Sequence, residues 1–181
     1  MVVRLFDEVP RIRGNRIVLE RITEGDAPAL RELVDNKNVY RYLPTFLFEK
    51  QYDSMEEAIR LMYGDLFAQK ESLILGVRHR GAGAICGLAE FYGLREELDK
   101  ISVGYRFLER WWGQGIATET VRLMVEYLYD QTNIELITAS TMVENVASAR
   151  VLEKSGFIRT ARGVEEDWGY SEPTIADKWF C

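Results

Sequence analysis

The chain of 181 residues is 47% hydrophobic and 29% charged, enough apolar material for a packed core and too much for a disordered segment, and no linker divides it. One domain over residues 1–181 is therefore expected. A net charge of −6 with no local Lys/Arg cluster argues against a nucleic-acid surface and mildly favours cationic partners. No apolar run approaches the roughly 20 residues that cross a bilayer. Cys86, Cys181 and the lone His79 make neither a disulfide framework nor a metal-ligand spacing, and charges replace a signal core in the first ten residues. The expectations are no metal, no membrane and a cytoplasmic location.

Alternation over residues 16–22 predicts a strand. Thr23 with Asp26 three residues on caps a helix through Leu33, and Pro44 closes helical structure off, because the residue before a proline avoids the helical region. Ser54 and Glu57 repeat the capping pattern, and Ile59, Met62 and Leu66 recur at helical spacing, predicting a helix to about residue 70. Residues 72–78 and 84–92 are rich in β-formers and are separated by Gly81 and Gly83, which suits an antiparallel hairpin with a solvated His79 at its tip. Residues 101–107 alternate as a further strand. From Gly113 the period becomes 3.6, with Ala117, Val121, Met124 and Leu128 on one face of a helix that ends near Asp130. A strand over 134–139, a helix over 145–155 and strands over 157–161 and 174–180 complete a mixed α+β order.

Arg110-Trp-Trp-Gly113-Gln-Gly115 stands between a strand and a helix, where glycines let backbone N–H groups approach an anion and the helix start adds positive potential. Diphosphate suits such a turn. Trp111 and Trp112 read as packing anchors beneath it. The following helix spans about 22 Å and the strand after it about 23 Å. A right-handed crossover then returns the chain to the sheet edge it left, setting Asn145 and Ser148 beside whatever the turn holds. Asn145 also suits a helix N-cap.

The strand, Arg-x-x-Gly-x-Gly turn, amphipathic helix, strand and Asn145-x-x-Ser148-x-x-x-Leu152-x-Lys154-x-Gly156-Phe157 together resemble the cofactor half of the GNAT acetyltransferase superfamily. Arg16-Ile-Val-Leu-Glu-Arg21, Arg41-Tyr-Leu-Pro44, Trp112-Gly113-Gln-Gly115-Ile-Ala-Thr-Glu119 and Ser148 resemble its ribosomal-protein N-terminal (alanine/serine) acetyltransferase branch. The likeness extends over essentially the whole chain. It implies a central mixed, mostly antiparallel sheet of about seven strands flanked by four helices, with a parallel pair splayed around acetyl-CoA. The implied cofactor contacts are Phe107, Leu108, Arg110, Trp112, Gly113, Gln114, Gly115, Ile116, Ala117, Thr118, Asn145 and Ser148, with no metal. An acceptor amine, on a peptide N-terminus or a small molecule, attacks the thioester directly, in a monomer or homodimer.

Such a reaction requires a neutral amine, donors for the oxyanion and a proton for the departing thiolate. Where many superfamily members carry a tyrosine acid, this chain has Leu152, which has no proton to give. Ser148, one turn earlier on the same helix face, takes that role in the resembling branch. Glu90, in a strand with apolar neighbours able to raise its pKa, is the candidate base, with Glu109 and Glu166 as rivals. Ser102 replaces a strand glutamate that is common in the branch. An alternative function is a non-catalytic acyl-CoA-binding or regulatory module. Residues 40–48 are either a loose hydrophobic loop or an acceptor lid.

Overall fold

The computed structural model describes residues 4–181. Two short strands open it, β1 (Ile12–Arg13) and β2 (Ile17–Glu20). Thr23 donates its backbone N–H to Asp26 Oδ2 at 3.0 Å, satisfying an end that would otherwise be orphaned before α1 (Ala27–Asp35). α2 (Lys37–Tyr40) is a separate turn, capped by Asn36 Oδ1 on the amides of Asn38 and Val39. Ser54 Oγ accepts the Glu57 amide at 3.2 Å and starts α3 (Met55–Met62).

The predicted helix to residue 70 is interrupted: α3 stops and α4 (Asp65–Ala68) restarts after Gly64, whose backbone leaves the helical region. Tyr63 sits at the break because its hydroxyl is committed elsewhere, donating to Ile74 O and accepting the Ile22 amide, both at 2.8 Å. β3 (Ser72–His79), β4 (Ile85–Arg95) and β5 (Lys100–Phe107) form an antiparallel meander. α5 (Ile116–Gln131) then crosses over to β6 (Leu136–Met142), which is followed by α6 (Val146–Lys154), β7 (Ile158–Glu166) and β8 (Thr174–Phe180).

One eight-stranded sheet results, in the order β1-β2-β3-β4-β5-β6-β8-β7, with β5 and β6 its parallel pair. The additional strand beyond the expected seven is the two-residue β1. β7 runs five residues past its predicted end, with register shifts that Gly163 accommodates at φ +62° while Asp177 Oδ1 accepts its amide.

Strand alternation divides the core. Leu73, Leu75, Phe91, Ile101 and Val103 pack with Val121, Met124 and Leu128 of α5 and Leu152 of α6. Ile74 and Leu88 face the opposite side, against Leu30, Leu33, Ile59 and Met62. This period-2 split is what puts α5 and α6 on one face and α1 and α3 on the other. Among the described residues, no helix is long and apolar enough to cross a membrane.

Candidate active site

The glycine turn follows β5. A 3-10 turn, Glu109–Trp111, takes the chain off the sheet, with the Trp111 amide on Leu108 O and the Trp112 amide on Glu109 O. Beyond it a loose turn covers residues 112–115, and no amide of residues 113–118 makes a full hydrogen bond to a described residue. The next bonded amide is that of Glu119, on Gly115 O at 3.1 Å. Gly113 and Gly115 have φ of +70° and +77°, conformations costly for residues with a Cβ. Unpaired N–H groups at the start of a 16-residue helix form a seat for an anion.

Arg16 braces this turn from behind. Its amide and Nε donate to Glu119 Oε1 and Oε2, each at 2.8 Å, and its Nη1 donates to Gln114 O at 2.7 Å. Burial alone would raise the Glu119 pKa, but these Arg16 contacts outweigh it and hold the carboxyl below its ordinary range. No spacing in the sequence links positions so far apart.

Beside the turn the sheet opens. β5 and β6 are paired only from Lys100↔Leu136 to Ser102↔Thr138. There the two hydroxyls meet at 2.9 Å; past them the strands diverge. Into the gap opens a cavity of 1440 Å³ whose walls include Glu90, Phe107, Trp112, Gly113, Gly115, Ile116, Ala117, Thr118, Asn145 and Ser148. Three of the expected contact residues keep their side chains out of it. Leu108 is buried in the core below the turn, Arg110 pairs with Glu32 on the surface, and the Gln114 amide group turns back to Arg110 O at 2.7 Å. Trp112 lines the cavity, with Nε1 donating to Phe107 O at 2.8 Å. Trp111 packs against both core clusters. His79, predicted to be solvated, instead stacks on Trp111 with ring centroids 4.9 Å apart.

On the α6 wall, Asn145 Oδ1 caps the helix by accepting the Ser148 amide at 3.2 Å. Ser148 Oγ lies 2.7 Å from the Tyr105 hydroxyl, which also reaches Ser148 O at 3.3 Å. Burial raises the Tyr105 pKa well above the usual tyrosine value, with the Ser148 contact offsetting part of the rise. The phenol therefore keeps its proton and stays neutral beside Ser148. Leu152, on the same helix, is fully buried. Sequence reasoning missed Tyr105. Its alternation with Val103 and Phe107 reads as a core aromatic, and only the strand divergence turns it toward α6.

Across the cavity the apolar surround expected for Glu90 is replaced by polar partners. Its Oε2 accepts from Arg106 Nη1 at 2.7 Å and its Oε1 accepts from Ser72 Oγ at 2.5 Å. Arg106 is also gripped on two sides by Glu49, Nε to Oε1 at 2.5 Å and Nη2 to Oε2 at 2.7 Å. Tyr40 completes the group by donating to Glu49 at 2.6 Å. Burial would lower the Arg106 pKa, but the charges of Glu49 and Glu90 raise it well above its ordinary value. The rival carboxylates are also engaged: Glu109 accepts from Asn36 and Asn38, and Glu166 accepts from Lys178 and from Trp168 Nε1.

Residues 41–48 roof this end. The Thr45 amide and hydroxyl donate to Trp168 O at 2.9 and 3.2 Å. The Tyr170 hydroxyl donates to Leu43 O at 2.7 Å. Glu49, at the foot of the roof, roots it in the buried cluster. A Cβ at Gly169 would lie 2.0 Å from Thr45 Oγ1, so the two loops meet only because that position is bare.

Residues 16–158 match the family model described as Acetyltransferase (GNAT) domain. An uncharacterized N-acetyltransferase of Bacillus subtilis, YoaA, is 27% identical over 170 residues, covering 93% of each chain. The putative ribosomal N-acetyltransferase YdaF of the same organism is 23% identical and covers 82% of this chain and 81% of its own. Among solved structures, the ribosomal L7/L12 α-N-protein acetyltransferase RimL in complex with coenzyme A superposes with a TM-score of 0.79 at 17% identity, over 95% of this chain and 97% of that one. Spermidine N-acetyltransferase from Vibrio cholerae, in complex with CoA and spermine, gives 0.76 at 18% identity, over 93% and 96%.

Proposed function

The chain belongs to the GNAT acetyltransferase family, and on that premise we propose that, as one domain working in the cytoplasm, it moves an acetyl group from acetyl-CoA directly to a primary amine. One observation carries the reading: unpaired amides at residues 113–118 lie beside the divergence of β5 and β6, with Ser148 and Glu90 on the walls of the same cavity. Acetyl-CoA supplies the acetyl group as an activated thioester. The glycine-turn amides suit its pyrophosphate, with Phe107, Trp112, Ile116, Ala117, Thr118 and Asn145 as side walls.

Ser148 then gives a proton to the departing thiolate, its hydroxyl oriented by Tyr105, and Glu90 takes a proton from the acceptor. Leu152 leaves no tyrosine in the usual place, and the Tyr105–Ser148 pair supplies hydroxyl protons in its stead. The named neighbours act on a protein N-terminus and on spermidine, so both a peptide α-amine and a small-molecule amine belong in the test set. An α-amine, with a pKa of about 7.7–8.0, is partly neutral at pH 7 and makes the smaller demand on the base.

Steady-state release of free CoA across a panel of peptides and small amines tests the proposal. Amine-dependent release, abolished by omitting the amine, is the expected result. CoA binding without turnover of any amine would replace the enzyme with an acyl-CoA-binding module.

A further inference from the structure

The cavity runs on past Glu90 to the roof, and the side chains there differ in kind from those at the glycine turn. Tyr42, Leu43 and Phe46 of the roof, Tyr92 of β4 and Trp168 all line it. Two of these rings stay open to solvent, Phe46 at 55% and Tyr92 at 36% exposure, so a ligand that covered them would gain apolar burial that the fold itself forgoes. The floor beside them is bare: a Cβ on Gly104 of β5 would lie 3.3 Å from Tyr92 Cε1, and Gly104 lines the cavity. The polar groups at this end close on one another instead of facing the space. Arg106 also lines the cavity, but each of its three nitrogens donates to Glu49 or Glu90. Lys178 donates to Glu166 and to Ser140. Among the described carboxylates on the cavity wall, Glu71, Glu109 and Asp167 are exposed, where water screens their charges. Glu90 and Glu166 are the two withdrawn from solvent, and Glu166 is spent on Lys178.

We propose that the acceptor is a primary amine with an uncharged aromatic group close to the nitrogen, and that Phe46, Tyr92 and Trp168 hold that group under the roof. This rests on the acetyltransferase reading and names its substrate class. An aromatic group packs against these rings in offset or edge-on geometry, displaces their water and leaves the neighbouring ion pairs intact. A polyamine fits poorly. Each further ammonium would enter among ring faces with no inward carboxylate left to meet it, and attraction to exposed rings offsets little of the cost of stripping its water. The favoured chemistry is carried both by a free arylalkylamine and by a peptide whose first residue is aromatic.

In the test, CoA-loaded enzyme is titrated by calorimetry with phenethylamine, propylamine and spermidine. Phenethylamine is expected to bind about tenfold or more tighter than propylamine, which shares its ammonium and lacks the ring, as for a phenyl group taken out of water. Spermidine, with more charge and no ring, is expected to bind more weakly than phenethylamine. The double variant Phe46→Ala/Tyr92→Ala removes the two open rings and is expected to bring phenethylamine to within about threefold of propylamine, with CoA affinity retained. A merely structural role for these rings would weaken both amines alike and leave their ratio unchanged. Equal affinity of phenethylamine and propylamine for the wild type overturns the proposal, as does spermidine binding tighter than phenethylamine, or a folded double variant that keeps the full ratio. The CoA-release panel tells the sources apart. Faster turnover of a dipeptide amide beginning with phenylalanine points to a peptide N-terminus, faster turnover of phenethylamine to a free amine, and either supports the site. The same panel separates the two readings: turnover without ring preference removes the aromatic site alone, and ring preference in binding without turnover removes acetyl transfer alone.

Discussion

Replacing Tyr105 with phenylalanine removes one oxygen from the active site and leaves the ring in place. That oxygen lies 2.7 Å from Ser148 Oγ and 3.3 Å from its carbonyl. A neutral hydrogen bond of this kind is worth about 1 kcal/mol net, which predicts a fall in kcat of roughly five- to tenfold if the bond matters equally in the transition state. Ser148→Ala removes the proposed acid and is expected to lower kcat by about a hundredfold or more. Because Tyr105 acts only through Ser148, the double variant should be no slower than Ser148→Ala within about twofold, a coupling of about 1 kcal/mol. Single-turnover acetylation is the assay, since it separates chemistry from CoA release. KM for acetyl-CoA should stay within about twofold in Tyr105→Phe. Additive losses, or a change confined to KM, would refute the assignment of Tyr105 as the residue that orients the serine.

The remaining predictions probe the frame around the site. Gly115→Ala forces a Cβ into φ +77° and to within 3.3 Å of the Arg16 guanidinium, so CoA affinity measured by calorimetry should fall about tenfold, from a strain of about 1–2 kcal/mol. Arg106→Met leaves Glu49 and Glu90 buried without their cation and should cost about 3–5 kcal/mol in urea unfolding. Asp26 is held below the usual carboxylate range because hydrogen bonds from Thr23 and Arg78 and the Arg78 charge outweigh the burial that would raise it. A depressed pKa stabilises the fold above the unfolded value of about 3.9, and that gain is lost as pH falls through the folded value. Asp26→Asn should therefore be less stable than wild type at pH 7, with the difference closing in acid below about pH 4.

Much of this was readable because it is local. The capping signals at Thr23 and Ser54, the hairpin ahead of residue 101 and the 3.6 period after Gly113 each lie within a few turns of chain, and each element starts where expected, although the helix begun at Ser54 breaks at Tyr63. The parallel return of β6 beside β5 also followed from the strand-helix-strand order, and the matched helix and strand lengths fit the arrival of Asn145 and Ser148 at the glycine turn's cavity. The buried cluster was illegible for the opposite reason. Arg106 alternates with Tyr105 and Phe107 as an outward polar residue would, and Glu49 lies in a stretch with no period at all. Only the pairing of β4 with β5, together with the return of residues 41–51 over that face, makes them partners of Glu90. Arg110 shows the converse: the motif counts it as a site residue, yet its long side chain is free to choose Glu32 on the surface.

The three residue pairs that join β5 to β6 have a mechanical meaning. They are the narrow waist between a five-stranded piece, β1 to β5, and a three-stranded piece, β6 to β8, and the sheet can hinge there more readily than across any full-length ladder. A molecule lodged in the gap bridges the two pieces and stiffens the waist. Amide hydrogen exchange in β6 and β8 should therefore slow when CoA is added, while the centre of the β3–β4 ladder, already locked on both sides, keeps its rate.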